Sequence, residues 1–303
     1  MLKKSLFWLL FVSLAPLSVC QAAPVASLPM PDCTGVLAPA REDLQKTVEL
    51  MTQKVSQQPK SAEAYVQRGA ALGDQGEHEK AITDYERALV LDPQNPDAYY
   101  NRGFDREALG LYKEAVLDYR KAAEFDPSFA DAYAGVGRIL REQGHAEDAL
   151  VLLNKAIELD PQNADNFFDR GLTHDDLGRF EAAAADYKDA IALNPNDACA
   201  HNNLALDQQA MGDNPSALAN FNRAIELDPN LSTAFGNRGG LYVDTGKLDE
   251  ALADYDQALK LEPGWTQIHF ERARIHWKRK EFGAYVRDLW TGSSMKWAAQ
   301  KKS

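Results

Sequence analysis

The chain has 303 residues, 45% hydrophobic and 26% charged, which gives it enough apolar surface for a packed fold and excludes a wholly disordered chain. Its formal charge of −12 at neutral pH argues against a nucleic-acid partner, because such a surface repels phosphate backbones.

Residues 1–22 read as a signal peptide: Lys3 and Lys4, an apolar stretch from Leu6 to Leu17 broken by Pro16, then the small-residue site ending at Ala22. The stretch falls short of the ~20 residues that a membrane span needs, so cleavage after Ala22 and export to a periplasm are expected. The alternative is a lipoprotein box at Leu17-Ser18-Val19-Cys20 that leaves the mature chain anchored to a membrane through acylated Cys20; Val19 is bulkier than the residue such boxes usually carry. No other membrane contact is expected. Removing Lys3 and Lys4 leaves 31 basic residues against 45 acidic, a charge of −14. Cys33 and Cys199 are far apart with no framework spacing, and both are expected as free thiols even in an oxidising compartment. Residues 23–61 are expected to hold a flexible Pro- and Ala-rich segment and then a helix near Arg41 to Ser56 that caps the folded body beginning at Ala62.

From Ala62 a period of 34 residues organises the chain. Pro93 recurs as Pro127, Pro161, Pro195, Pro229 and Pro263, and Gly76 recurs as Gly110, Gly144, Gly178, Gly212 and Gly246. Alanines recur at two slots, from Ala81 to Ala251 and from Ala88 to Ala258, with a large residue between them: Tyr85, Tyr119, Leu153, Tyr187, Phe221 and Tyr255. The Gly permits a sharp turn after a first helix. The Pro stops a second helix, because the residue before it leaves the α region. The alanines let the paired helices approach, and the large residue fills the space beside them.

Two slots vary together. Arg68, Arg102, Arg170, Arg238 and Arg272 hold the seventh slot wherever Asp84, Asp118, Asp186, Asp254 and Asp288 hold the twenty-third; the exceptions are Val136 with Leu152 and Leu204 with Asn220. Residues that touch behave this way, so five structural Arg–Asp pairs are expected, each joining the two helices of one repeat. The Arg272–Asp288 match marks 266–290 as a degenerate seventh hairpin. With Tyr285, Trp290, Trp297 and Lys301-Lys302, residues 266–303 are expected to form a solvating cap.

A 34-residue helix-turn-helix with small residues at slots eight, twenty and twenty-seven and Pro at slot thirty-two resembles the tetratricopeptide-repeat (TPR) family over residues 62–265, in six full copies. The resemblance implies an all-α, right-handed superhelical solenoid of antiparallel helix pairs, its concave face lined by the first helix of each repeat. It also implies an exported bacterial protein–protein adaptor or scaffold that binds a peptide segment in envelope assembly or regulation. The alternatives are a self-assembling structural protein or a regulatory subunit of an envelope enzyme.

The six histidines fall in packing slots or at turns, and no zinc spacing, phosphate loop or nucleophile elbow is present. No catalytic residue, cofactor or metal is expected. The recurring inner slots carry Tyr100, Asn101, Phe104, Arg138, Arg141, Phe168, Asn203, Asn237 and Phe270, which are expected to line a peptide-binding groove. Aromatics would supply affinity there, and Asn can pair with a peptide unit whatever side chain the peptide carries. In some members of the family, asparagines at this slot contact peptide backbone. The resemblance does not extend to a chaperone carboxylate clamp, since Val66, Asp131 and Gly135 stand where its partners would be needed.

Overall fold

A computed structural model describes residues 41–300, with side chains described for 43–294. The expected signal peptide, Cys20, Cys33, the 23–40 segment and Lys301-Lys302 lie outside the described residues. Among those residues are fifteen α-helices and no strand. Helix α1 (Arg41–Gln57) is followed by seven hairpins: α2 (Ala62–Asp74) with α3 (His78–Leu91), α4 (Pro96–Ala108) with α5 (Tyr112–Phe125), α6 (Ala130–Glu142) with α7 (Ala146–Leu159), and α8 (Ala164–Asp176) with α9 (Phe180–Leu193). The series continues with α10 (Ala198–Ala210) and α11 (Asn214–Leu227), α12 (Ser232–Asp244) and α13 (Leu248–Leu261), and α14 (Thr266–Lys278) and α15 (Phe282–Gln300).

The sequence sets these boundaries locally. Ser61, Asn95, Asn163 and Asp197 each accept a backbone N–H of the following turn, satisfying donors that a helix start leaves open. Hairpin turns place Gly in the left-handed region, as at Gly178 with φ 68°; in the last hairpin the same slot holds Lys280 at φ 61°, the one non-Gly residue there among those described. Second helices stop at an extended residue before Pro, such as Asn194 with φ −127° and ψ 88°.

Each hairpin closes over its own small core. Tyr85, Tyr119, Tyr187, Tyr255 and Phe221 are fully buried among alanines of essentially zero exposure. In α8 the fit is close: a Cβ on Gly171 would lie 2.7 Å from the Tyr187 ring, which is why a small residue stands there. Hairpins stack in chain order, α3 on α4, α5 on α6, and so on to α13 on α14. First helices also touch one another, α2 with α4, α4 with α6, α6 with α8 and α10 with α12, so they form the inner layer of the stack. This is an all-α helical-repeat solenoid.

The C-terminal hairpin departs from the expected solvating cap. Tyr285 packs on Trp277 of its own hairpin, and the outer face of α15 leaves Phe282, Val286 and Trp290 exposed, Trp290 at 73%. No described helix is long and apolar enough to cross a membrane.

Candidate functional site

The inner layer presents side chains at fixed repeat slots. Slot two, in the first turn of each first helix, carries a row of carboxylates: Glu63, Asp97, Asp131 and Asp165. Burial and the neighbouring Glu63 push the Asp97 carboxyl up; burial, then Asp160 and Asp165, do the same to Asp131. Successive members of the row therefore feel one another, and the inner face is acidic along this edge.

Deeper in the layer, between α4, α5 and α6, an open cleft of about 280 Å³ is lined by Phe104, Glu107, Ala108, Tyr112, Arg138 and Glu142. Phe104 is 52% exposed and Tyr112 41%, an unusual exposure for two aromatics in contact with a single cavity. Glu107 is fixed on one wall: Arg138 donates to it through Nε at 2.8 Å and Nη2 at 3.0 Å, and the Tyr119 hydroxyl donates at 2.6 Å. Arg138 also reaches Asp169 at 3.5 Å, so its charge is spent on bracing three consecutive first helices. Glu142 on the opposite wall is pushed up by burial and by Glu107.

The remaining groove candidates take other roles. Tyr100 packs against Tyr119 and Phe129 at centroid distances of 5.6 and 4.9 Å, and Phe168 lies 5.6 Å from Tyr187; both are half-buried against these rings. Phe270 is half-buried beside Gly292. Arg141 pairs with Asp176 at 3.7 Å. Asn203 is buried, accepts from Asn202 at 3.1 Å and interacts with the Tyr187 hydroxyl, while Asn237 donates to Asn202 at 3.1 Å. These two amides form a polar seam between α10 and α12. Asn101 donates to the Asp97 carbonyl of its own helix at 2.8 Å. Of the nine groove residues, Phe104 is the one that stands open to solvent.

The five Arg–Asp pairs are bidentate. Nε and Nη2 of the arginine meet the two carboxylate oxygens at 2.6 and 2.6 Å for Arg68–Asp84, 2.9 and 2.7 Å for Arg102–Asp118, 2.9 and 2.6 Å for Arg170–Asp186, and 2.8 and 2.7 Å for Arg238–Asp254. Arg272 joins Asp288 the same way, with Nε at 3.1 Å. A second function was not read from the sequence. The free Nη1 crosses to slot twenty-five of the preceding hairpin, Arg170 to Asn154 at 2.8 Å, Arg238 to Asn222 at 2.6 Å and Arg272 to Asp256 at 2.6 Å. A signal for it existed: slot twenty-five is basic, Arg120 and Lys188, where the next hairpin has Val136 or Leu204 in place of the arginine.

Histidines sit in polar contacts, His78 of α3 with Asp105 of α4 in the next hairpin at 2.6 Å and His201 with Asn220 inside one hairpin at 2.8 Å. No group of three or more His, Cys, Asp or Glu among the described residues is placed to hold a metal. One expectation is overturned. Cys199 is not a free thiol but is disulfide-bonded, and its partner sulfur lies outside the described residues. Sequence spacing could not show this, because a bond between distant residues leaves no local pattern.

Models of the TPR repeat match residues 71–104, 137–178 and 175–212, and tetratricopeptide-repeat models match 96–129, 202–264 and 237–284. No curated protein matches the chain. Among solved structures, the APC/C hetero-tetramer Cut9-Hcn1 superposes with a TM-score of 0.68 at 19% identity, covering 84% of this chain and 50% of that one. The chain thus spans half the length of that relative. PilF of Pseudomonas aeruginosa superposes at 0.64 with 22% identity over 70% of this chain and 97% of its own. A tetratricopeptide repeat protein of Parabacteroides merdae gives 0.60 with 21% identity over 77% and 93%. At these identities the likeness is one of fold.

Proposed function

Because the chain belongs to the tetratricopeptide-repeat family, whose members generally serve as non-catalytic binding scaffolds, we propose that it is an adaptor holding a peptide segment of a partner protein against its inner face. The observation that carries this reading is the cleft in which Phe104 and Tyr112 stand exposed beside Glu107 and Glu142. An apolar side chain of the partner enters between the two rings, and the acidic row at slot two favours a segment of low or positive charge. The sequence of residues 1–22 supports action in a bacterial envelope after export, with acylation at Cys20 as the alternative form of attachment. A disulfide at Cys199 fits an oxidising compartment. Crosslinking in intact cells and identification of the captured protein tests the reading. The combined Phe104→Ala and Tyr112→Ala variant should capture that partner about tenfold more weakly with an unchanged helical signal. Equal capture by the variant refutes the cleft as the binding site.

A second reading, self-association, is favoured by the open C-terminal face of Phe282, Val286 and Trp290. Sedimentation across a concentration series separates the two: a mass that rises with concentration and returns to one chain in Trp290→Lys supports self-association.

A further inference from the structure

The open face of α15 is built from the slots that earlier second helices turn toward the next hairpin. Slot twenty-one packs forward along the stack, Val116 in the cluster of Val136 and Ile139, Leu218 in that of Leu241, and Leu252 in that of Ile268 and Ile275. At α15 this slot holds Val286, more than half exposed. Slot twenty-four is fully buried in the six hairpins before, yet its counterpart Leu289 is open. Slot twenty-five is polar or charged in those six, from Glu86 to Asp256, and is Trp290 here, which offers no acceptor to a crossing arginine. The face is thus unsuited to the strapped joint that this chain makes elsewhere. Trp277 of α14 joins the same surface, its ring 5.5 Å from Phe282 and 5.1 Å from Tyr285. Phe282, Val286 and Trp290 follow at intervals of four residues, one helix face about 12 Å long.

Charge then selects among occupants. Residues 266–294 carry six arginines and lysines against three acids, +3 in a chain of net −12. The acids are all taken: Glu271 by Arg274 at 2.9 Å, Glu281 by His276 at 2.5 Å and Asp288 by Arg272. Lys278, Lys280 and Arg287 are exposed and make no ion pair among the described residues. They border the rings, Lys278 and Lys280 just before Phe282, and Arg287 one turn from Trp290. A second copy meeting this face about a twofold axis would set these cations against one another, so charge disfavours self-association through it. A surface dense in negative charge satisfies them. The acidic inner row does not cancel this attraction. Its last member, Asp165, lies three hairpins back, several helix spacings of about 8–10 Å, while exposed charges are screened beyond about 8 Å at physiological salt.

We propose that the C-terminal end of the stack docks on the headgroup layer of an anionic lipid bilayer. Trp277, Phe282, Val286 and Trp290 enter the interface, and Lys278, Lys280 and Arg287 meet lipid phosphates. An indole settles at such a boundary because its ring is apolar and its N–H needs a polar partner. Neighbouring cations add electrostatic attraction to the buried apolar area. The contact is peripheral, since no described helix is long and apolar enough to cross a membrane. It goes beyond the attachment expected at Cys20, and it stands independently of the peptide cleft, which lies toward the other end of the stack between α4 and α6.

Vesicle sedimentation of the full mature protein, lacking residues 1–22 so that no acyl chain contributes, tests the docking. Vesicles of phosphatidylglycerol mixed with phosphatidylcholine should bind it at least about tenfold more tightly than phosphatidylcholine alone, with a blue shift of tryptophan emission. No binding, or binding that ignores headgroup charge, overturns the proposal. Changing Lys278, Lys280 and Arg287 together to Gln should weaken binding about 100-fold, at about fivefold per cation. Phe282→Ser with Trp290→Ser should weaken it at least about tenfold, and both variants should keep the helical signal because the altered side chains are exposed. Unchanged binding in either overturns the proposal. So does a mass that rises with concentration in the absence of lipid and returns to one chain in Trp290→Lys, which assigns the face to a second copy. Phe104→Ala with Tyr112→Ala should bind vesicles as wild type does. Loss of vesicle binding in that variant overturns the docking, whereas normal partner capture by it refutes the cleft and leaves the docking standing.

Discussion

Tyr187 donates its hydroxyl proton to Asp175 at 2.6 Å, and Asp175 in turn stands in hydrogen-bond contact with Asp207 of the next hairpin. Two buried carboxyls in contact cannot both ionise, and burial together with Asp175 pushes Asp207 up to about 9. Asp207 is therefore the protonated partner at neutral pH, donating to the Asp175 carboxylate across the α9–α10 joint. The unfolded carboxyl titrates near 3.8, so between that value and about 9 the folded chain holds a proton that the unfolded chain has released. This contribution to stability is fully present below about pH 4 and is lost as pH rises through about 9.

Replacing Asp207 with Asn keeps a donor toward Asp175 and removes the titration. Urea midpoints at pH 5, 7 and 9 should show a shallower decline than wild type, with the variant more stable at pH 9. Parallel profiles for the two proteins would show that the joint does not hold a shared proton.

Arg170→Val leaves Asp186 buried beside an apolar side chain and should cost about 3–5 kcal/mol, read from urea unfolding monitored by helical signal. Adding Asp186→Leu should recover most of that loss, because the third hairpin already runs with Val136 and Leu152 in these slots. A double variant as unstable as the single one would mean that the pair does more than neutralise itself.

Lys280 holds the left-handed turn that glycine holds in the six hairpins before it. That conformation costs a side-chain-bearing residue about 1–2 kcal/mol, against about 0.5–1 kcal/mol of extra unfolded-state entropy for glycine. Lys280→Gly should thus stabilise the last hairpin by up to about 1 kcal/mol, visible as slower amide exchange in α14 and α15.

Asn203→Ala is expected to act on stability and not simply on binding, since Asn202 and Tyr187 lose a buried partner; about 1–3 kcal/mol is the expected cost. Phe104→Ala, by contrast, should leave the melting temperature nearly unchanged, because the ring is more than half exposed.

The contrast between these two residues shows where sequence reading stops. The hairpins were legible because one period carries every turn glycine, stop proline and core alanine, and the Arg–Asp pairs because both partners vary together inside one repeat. Slots five, six and nine share a helix face in sequence, yet slot five leans back onto the slot-twenty-four ring of its own hairpin, as Tyr100 does on Tyr119 and Phe168 on Tyr187. Slot six is buried at Asn203, where α10 and α12 approach, and is not at Asn101. Which inner residues meet solvent depends on how closely neighbouring hairpins approach, and the period does not encode that distance.

The crossing bonds of Arg170, Arg238 and Arg272 fall at α7–α8, α11–α12 and α13–α14, the joints where successive hairpins pack least extensively, whereas α3–α4, α5–α6 and α9–α10 meet more extensively. The stack is thus a spring with two kinds of coil. The joints without such a strap depend more on apolar burial, which strengthens on warming from the cold. Strapped coils soften as ions screen the charge, most of all at Arg272, whose crossing partner Asp256 is 66% exposed. Because two of the three straps lie at the α11–α12 and α13–α14 joints, ionic strength acts through them mainly on the C-terminal end of the stack.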